Sequence, residues 1–271
     1  MTNAQVEPSA PQPRPRALVT GASSGIGAAF ARALAARGND LVLVARNAAA
    51  LEALAADLTS RHGVRADVVI ADLARADAVD DIVAGVAARG IEVGTLINNA
   101  GFGTHGFFAE LDASRERDEI AVNVLSLVGL TRAFVPAMVA RRSGGIINLA
   151  STAAFQPVPY MATYGATKAF VLSFSEALAE EVRRHGVRVV ALCPGQTSTA
   201  FFTDIEESRV GIARTAEQVV ATGLRALERG RVVAVDGFAN TAMTSSVRLA
   251  PRALVRRIAA RIERPSSLKP R

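Results

Sequence analysis

The stretch "VTGASSGIGAAFARAL" at residues 19–34 decides the fold of this chain. Its glycines, Gly21, Gly25 and Gly27, stand between a short apolar run at 16–20 and an alanine-rich helical pattern. Glycine at a strand–helix turn allows a tight bend and lets backbone N–H groups approach a pyrophosphate, which the positive end of a helix favours. A flexible turn is the alternative for such a triplet taken alone. Its place after the first strand favours phosphate binding.

Two details of this turn refine the prediction. The spacing is G-x-x-x-G-x-G instead of G-x-G-x-x-G, and Ser23 and Ser24 supply extra hydroxyl donors for a phosphate. Ile26 lies between the last two glycines and belongs to the same candidate cofactor site.

Outward from this turn, apolar β-branched runs alternate with helical patterns. Strands are predicted at 16–20, 40–45, 64–70, 95–98, 145–150, 187–193 and 231–235. Helices are predicted near 26–37, 48–62, 75–89, 114–141, 163–185 and 215–229. Strict alternation, with strands apolar on consecutive residues, predicts an α/β fold: a Rossmann-type doubly wound parallel sheet of about seven strands, with helices on both faces, in a single domain.

Composition limits the class of protein. A chain of 271 residues with 50% hydrophobic content can bury a full core, and the sole cysteine, Cys193, fits a reducing, cytoplasmic compartment. Residues 1–15 form a proline-rich leader that we expect to be disordered and that lacks the apolar core of a signal peptide. No apolar run approaches the roughly 20 residues of a membrane-spanning helix. The catalytic domain is predicted at 16–237, followed by an extension at 238–271.

The net charge of +6 is concentrated in the extension. From Arg248 to Arg271 there are eight basic residues, one acid and no aromatic residue, a pattern that disfavours a nucleic-acid partner. At 250–265 apolar residues recur every four positions between arginines, which predicts a basic amphipathic helix. This helix packs on the enzyme, joins a partner subunit or makes weak contact with a membrane surface through residues 248–264; the last alternative places the protein at the periphery of the inner membrane face.

The second strand is followed by Arg46, where a fold selective for NAD usually carries an acidic residue. A guanidinium pairs with a 2′-phosphate that a carboxylate would repel. A solvated surface arginine is the alternative, but the charge argument predicts NADP(H) as the cofactor.

The segment "YMATYGATKAF" at 160–170 contains both tyrosines and one of only two lysines, although the chain has 31 basic residues. If 163–185 is helical, Tyr164 and Lys168 lie one turn apart on one face. An ammonium group beside a phenol favours the phenolate, so the pair is a candidate acid–base catalyst. An exposed pair on an ordinary helix is the alternative.

Ser151 follows directly on a predicted strand, at the edge where ligands of open α/β sheets bind. A serine there is commonly a turn or cap residue, but it can also polarise a substrate oxygen. The candidate substrate residues are aromatic and suggest an apolar substrate: Phe102, Phe155, Tyr160, Phe201 and Phe202. Residues 196–214 are interpreted as a mobile lid. No metal site is predicted.

These motifs together resemble the classical type of the short-chain dehydrogenase/reductase family over roughly residues 16–237. The matching pieces are TGASSGIG (20–27), Asp72, NNAG (98–101), Asn123, Ser151, Tyr164-x-x-x-Lys168 and PG-x-x-x-T (194–199). The overall character is similar to a branch of bacterial ketone reductases and hydroxysteroid or ketoacyl reductases.

The resemblance implies a role for each matching residue. By this resemblance Tyr164 is the general acid/base, and Lys168 lowers the pKa of Tyr164 and holds the nicotinamide ribose. Ser151 fixes the substrate oxygen, and Asn123 acts through a proton-relay water. The remaining implied cofactor contacts are Asp72, Leu73, Asn99, Ala100, Gly101, Pro194, Gly195, Thr197 and Thr199. The implied assembly is a homodimer or homotetramer.

The function predicted from these residues is NADP(H)-dependent interconversion of a carbonyl and a secondary alcohol on an apolar small molecule, with hydride carried by the cofactor. Two alternatives keep the same fold: a non-catalytic nucleotide-binding regulator, and a membrane-peripheral interaction protein directed by its tail. The complete Ser151, Tyr164 and Lys168 set favours the enzyme.

Overall fold

The computed structural model describes residues 15–198, 213–247 and 249–265. Seven strands within them form one sheet in the order β3-β2-β1-β4-β5-β6-β7, and every neighbouring pair is parallel. The strands are β1 Arg16–Thr20, β2 Leu41–Ala45, β3 Ala66–Ile70, β4 Val93–Asn98, β5 Gly144–Leu149, β6 Val187–Cys193 and β7 Val233–Val235. All seven strands predicted from the sequence are present, and the predicted doubly wound fold is confirmed.

Helices cover both faces of this sheet. They are α1 Gly25–Ala35, α2 Ala48–His62, α3 Ala78–Ala88, α4 Ala113–Ile120, α5 Ser126–Ala140, α6 Ala162–Arg183, α7 Ala216–Glu228, α8 Phe238–Val247 and α9 Arg252–Ile262. The single helix predicted at 114–141 is wrong in one respect, because a π turn at Ala121–Leu125 separates α4 from α5. A π turn inserts one extra residue into the helical ladder, which the periodicity of the sequence does not reveal.

The core lies in two layers because successive side chains of a strand point to opposite faces. Ala17 and Val19 of β1 join the cluster under α1, α2 and α7, whereas Leu18 joins the cluster under α3, α5 and α6. Phe30 of α1 and Met138 of α5 are fully buried in these two layers. Burial of each such side chain contributes about 1.5–3 kcal/mol, so both layers hold the sheet in place.

One helical stretch, Ala113–Ala140, is long and apolar enough by length and composition to cross a membrane. It is not an uninterrupted apolar run, which was the expectation tested in the sequence, because Asn123 and Arg132 lie within it. In the fold this stretch covers the sheet, and its inner side buries Leu130, Phe134 and Met138 against β4 and β5. We assign it as a core helix.

The C-terminal helices lie on the site side of the molecule. Helix α8 packs on the turn at 152–155, and the helix predicted at 250–265 is present as α9. Val255 and Ala259 of α9 are buried. The His105 ring Nε2 lies 2.8 Å from the carbonyl oxygen of Glu263, just past the end of α9. The leader at 1–14 lies outside the described residues.

Candidate active site

The candidate site lies at the carboxyl ends of β1, β4, β5 and β6. The strand order reverses at β1, since β2 lies on one side of it and β4 on the other. Crevices at such reversal points are where open α/β sheets bind their ligands. The motifs at Gly21, Asn99, Ser151 and Pro194 each follow one of these strands, so the parallel sheet brings them to one edge.

The glycine-rich turn can adopt its tight conformation only because its residues lack side chains. Gly21 and Gly25 have φ angles of +64° and +53°, which favour glycine. A Cβ on Gly27 would lie 2.2 Å from the carbonyl oxygen of Gly21 and 2.6 Å from Nδ2 of Asn99. The turn leads directly into α1, whose N-cap residue Ser24 makes no side-chain cap hydrogen bond, so the first N–H groups of the helix are not capped by it. This cradle fits the pyrophosphate of a dinucleotide.

Thr20 at the end of β1 fixes the cradle to β4. Its hydroxyl donates to the carbonyl of Ile97 (3.3 Å) and accepts the N–H groups of Asn99 and Ala100, both at 3.0 Å. The Asn99 amide in turn donates to the carbonyl oxygen of Thr20 at 2.9 Å. The NNAG motif thereby supports the phosphate turn from the side.

The predicted adenosine end is the edge of β2 and β3. Arg46 is exposed directly after β2, and Asn47 caps α2 by accepting the N–H of Ala50 at 3.0 Å. Asp72 follows β3, where its carboxylate accepts the N–H of Ala74 at 3.2 Å, and Leu73 is buried. Arg46 is therefore exposed to solvent between the end of β2 and the start of α2.

Tyr164 and Lys168 lie one turn apart on α6 and both are buried. The ammonium nitrogen of Lys168 is 5.7 Å from the centre of the Tyr164 ring and donates to the carbonyl oxygen of Leu149 at 2.8 Å. Burial lowers the pKa of Lys168 to about 8, and the charge of Glu119 partly opposes this shift. The site therefore holds an ammonium close to its point of deprotonation.

Asn123 lies in the π turn and is buried with all its polar atoms engaged. Its amide donates to the carbonyl of Phe102 (2.9 Å) and to the hydroxyl of Thr167 (3.1 Å), and its oxygen accepts the Phe102 N–H at 3.1 Å. A Cβ on Gly101 would lie 2.8 Å from this oxygen and 3.3 Å from the Lys168 nitrogen. The structure therefore brings Asn123 and Lys168 together around Gly101.

Ser151 follows β5 and begins the turn at 152–155 that packs on α6. Its hydroxyl oxygen accepts the N–H of Ala153 at 3.1 Å. This leaves the hydroxyl hydrogen to donate to a ligand. Ala153, two residues after Ser151, packs against the cluster of Val158, Met161 and Tyr164.

The turn after β6 is held by its neighbours. The carbonyl of Pro194 accepts the Thr152 N–H at 2.9 Å, and a Cβ on Gly195 would lie 2.4 Å from the Asn240 amide of α8. Thr197 is buried and its hydroxyl donates to the Gly195 carbonyl at 3.2 Å. Thr199 lies outside the described residues.

The predicted substrate residues lie in different surroundings. Phe102 packs on the core under the guanidinium of Arg115, which is 4.5 Å from the ring centre, and Phe155 packs on the α6 side. Tyr160 adopts a φ of +66° and its ring lies 6.3 Å from that of Phe107. Phe201 and Phe202, and most of the predicted lid at 196–214, lie outside the described residues.

The sequence analysis missed a buried polar layer beneath the site. The Asn98 amide donates to Thr131 (3.0 Å) and to Asn148 (2.9 Å), and Asn148 donates to Ser175 at 2.9 Å. It also missed Glu119, a buried carboxyl one turn before Asn123. No sequence pattern marks the layer, whereas the i, i+4 spacing from Asn123 was a visible signal for Glu119.

Among the described residues, no group of three or more His, Cys, Asp or Glu side chains could hold a metal ion.

A pyrophosphate cradle at a strand-order reversal, beside a buried tyrosine and lysine, defines a class: oxidoreductases that use a nicotinamide dinucleotide. Residues 15–210 match the short chain dehydrogenase family. The chain belongs to this family, which confirms the resemblance inferred from the motifs.

The similar proteins include reductases from several kingdoms. The chain is 37% identical over 188 residues, 68% of its length, to a very-long-chain 3-oxoacyl-CoA reductase of Anas platyrhynchos, and covers 60% of that protein. It is 35% identical over 235 residues to a protein of the same description from Phaeosphaeria nodorum, covering 85% of this chain and 67% of the relative.

Two solved structures share nearly the whole fold. A short-chain dehydrogenase from Sphingobium yanoikuyae in complex with NADPH has a TM-score of 0.80 and 34% identity, covering 89% of this chain and 94% of the other. A bulky-bulky ketone specific alcohol dehydrogenase from Comamonas testosteroni has a TM-score of 0.75 and 31% identity, covering 87% and 92%. The NADPH complex agrees with the cofactor predicted from Arg46.

Proposed function

We propose that this chain is an NADP(H)-dependent oxidoreductase that interconverts a carbonyl and a secondary alcohol on an apolar substrate. The observation that carries the proposal is the buried ammonium of Lys168, 5.7 Å from the ring centre of Tyr164 at the edge of a dinucleotide cradle. The relatives named as 3-oxoacyl-CoA reductases and the bulky-ketone dehydrogenase suggest two substrate groups, 3-oxoacyl thioesters and bulky ketones.

Each site residue has a defined task in reduction. NADPH, when bound, supplies the hydride to the carbonyl carbon. The Ser151 hydroxyl donates a hydrogen bond to the carbonyl oxygen and fixes its orientation. Tyr164 then gives its phenolic proton to that oxygen as it becomes an alkoxide, and the Lys168 ammonium stabilises the phenolate that remains. Oxidation of an alcohol runs through the same groups in reverse.

The glycine-rich turn and Arg46 bind different parts of the cofactor. Gly21, Gly25 and Gly27 leave space for the pyrophosphate, and the exposed guanidinium of Arg46 pairs with the 2′-phosphate. An Arg46→Asp variant replaces this attraction by repulsion. We expect it to prefer NADH in parallel titrations, and a retained preference for NADPH would contradict the role of Arg46.

A substrate panel with matched variants tests the activity. Short and long 3-oxoacyl thioesters and bulky ketones are followed by NADPH absorbance for wild type and Tyr164→Phe, with Tyr160→Phe as the control for loss of a phenol. We expect turnover to fall about 10²–10⁴-fold in Tyr164→Phe and to change much less in Tyr160→Phe, which keeps the aromatic ring at a predicted substrate residue. Equal turnover in wild type and Tyr164→Phe contradicts the proton donor. NADPH binding without turnover of any compound favours a non-catalytic regulator.

We propose a cytoplasmic homo-oligomer whose helix α9 also makes weak contact with an anionic membrane. The apolar side chains Leu254, Ile258 and Ile262 of α9 are about half exposed, and arginines flank them. This pattern suits a helix that lies in the membrane interface. Sedimentation with anionic liposomes should recover the full chain more than a truncation after residue 247; equal recovery would contradict the contact.

Self-association has separate support on helix α6. Phe170 is 42% exposed and stacks on Phe174 with ring centres 5.8 Å apart, which leaves an apolar patch on the surface. Light scattering after gel filtration should give twice or four times the chain mass for wild type and a smaller mass for Phe170→Glu. A monomeric wild type would contradict the oligomer.

A further inference from the structure

Glu119 is a fully buried carboxyl that the reaction described above does not use. It lies on α4, one turn before Asn123, and its Oε2 accepts both the N–H and the hydroxyl of Thr104 at 2.9 Å. Its Oε1 has no hydrogen-bond partner among the described residues. Burial of a carboxylate is unfavourable unless other groups compensate for its charge, so packing alone does not explain this residue.

Thr104 connects Glu119 to the reacting pair. Thr104 ends the segment 101–104, in which Gly101 packs between Asn123 and Lys168, and a Cβ on Gly103 would lie 2.8 Å from the Tyr164 ring. The hydroxyl of Thr104 also reaches the carboxylate of Glu116. Residues 101–104 have no room to move toward Tyr164 and Lys168. The hydrogen bonds between Thr104 and Glu119 therefore fix the position of this segment beside the phenol and the ammonium.

Glu119 and Lys168 also act on each other through charge. Burial raises the pKa of Glu119, which Thr104 and Lys168 oppose while the neighbouring charge of Glu116 adds to it. For Lys168, burial lowers the pKa to about 8, and Glu119 is the largest opposing influence, ahead of Cys193. Burial keeps the thiol of Cys193 neutral, because it raises its pKa to about 12. Glu119 is thus the described group whose charge most opposes the lowering of the Lys168 pKa.

We propose that Glu119 is a positioning residue for proton transfer at Tyr164, because its hydrogen bonds to Thr104 hold residues 101–104 against Tyr164 and Lys168, and because its charge acts on Lys168. The inference rests on the proposed function only because it assumes that Tyr164 transfers a proton during the reaction. Its physical content, a charge interaction between Glu119 and Lys168, is measurable without turnover.

The chain offers a direct measurement because it contains two lysines, Lys168 and Lys269. Protein labelled with ¹³C at the lysine ε carbon gives two resonances, and Lys269→Arg assigns them. In Glu119→Gln, which keeps an acceptor but loses the charge, we expect the titration midpoint of Lys168 to fall by about one pH unit. The matched control Glu116→Gln, on the same helix and also in contact with Thr104, should leave the midpoint within about 0.3 units.

Activity provides the second readout. Removal of the Glu119 charge lowers the pH at which the ammonium is lost, so the high-pH limb of kcat for carbonyl reduction should move down by the same amount in Glu119→Gln. A purely structural role would lower kcat at every pH without moving the limb. Glu119→Asp keeps the charge and should restore the limb toward its wild-type position.

The outcomes separate this inference from the proposed function. An unchanged Lys168 midpoint in Glu119→Gln overturns the inference even if the enzyme reduces carbonyls. A lowered midpoint in a protein that reduces no carbonyl supports the charge interaction and contradicts the proposed function instead. If Glu119→Gln does not fold, Glu119→Met, an apolar side chain of similar length, is titrated in its place with the same two outcomes.

Discussion

The phosphate end and the chemical end of the site are built by opposite means. At the phosphate end, Gly21 and Gly27 work through backbone groups and through the absence of side chains. At the chemical end, Tyr164, Lys168 and Asn123 are buried polar side chains, and hydrogen bonds hold Lys168 and Asn123 in place. Added side-chain volume should disturb the phosphate end, whereas altered polar or charged groups should disturb the chemical end. Substitutions at the two ends should therefore fail in different ways.

The largest effect is expected at the chemical end, in Lys168→Arg. Lys168 is only 4% exposed, and a Cβ on Gly101 would lie 3.3 Å from its ammonium nitrogen, so a larger planar guanidinium must displace its neighbours. We expect kcat for carbonyl reduction to fall about 10²–10³-fold in a steady-state assay with NADPH.

The control for this substitution is Lys269→Arg, which makes the same chemical change at the other lysine. Activity of Lys168→Arg within twofold of wild type would show that the site needs a positive charge but not a compact one.

The next effect is expected at the phosphate end, in Gly27→Ala. The new Cβ would lie 2.2 Å from the Gly21 carbonyl oxygen, so the turn must open. We expect the Kd for NADPH, measured by calorimetry, to rise about 10- to 100-fold, while kcat at saturating cofactor changes much less. An unchanged Kd would mean that the backbone cradle is not the phosphate site.

A smaller effect follows from pH. The lowered pKa of Lys168, about 8, means that its ammonium is present below that pH and is lost above it. The kcat for reduction should therefore be constant below pH 8 and fall about tenfold per pH unit above it, as expected for loss of a single required proton. The profile of kcat between pH 6 and 10 measures this, and a level rate to pH 9.5 would contradict a required ammonium.

The smallest effect is expected at a glycine with no part in the site, Gly85 in α3. A Cβ there would meet only the end of the Arg89 side chain, at 3.2 Å, which can move. Gly85→Ala should stabilise the protein by up to about 1 kcal/mol in urea unfolding, because alanine favours a helix interior. Cofactor affinity should not change, so this variant is also the control for Gly27→Ala. A loss of stability would show that Arg89 cannot move aside.

The order of strands and helices was predictable because each element carries its own signal. The runs at β1 and β2 are apolar on consecutive residues, and the alternation with helices specifies parallel connections. The π turn at Ala121–Leu125 was not predictable, because its extra residue hardly changes the pattern of apolar side chains. That turn lies at Asn123, so the part of the helix that matters for the site is the part the pattern missed.

The site was predictable where spacing along one element decides it. Tyr164 and Lys168 face each other because they are four residues apart on α6. The roles assigned to them, and those of Ser151 and Arg46, stay predictions until the variants are measured. Contacts between distant segments, such as His105 with the Glu263 carbonyl, had no local signal.

The sequence by itself determined the sheet, its parallel order and the meeting of four motifs at one edge, because periodicity and glycine positions are local properties of the chain. Only the tertiary structure decided that Lys168 is buried and that Glu119, also buried, is hydrogen-bonded to Thr104. The reason is physical: burial and charge act through space, between residues that the fold brings together and the chain keeps apart.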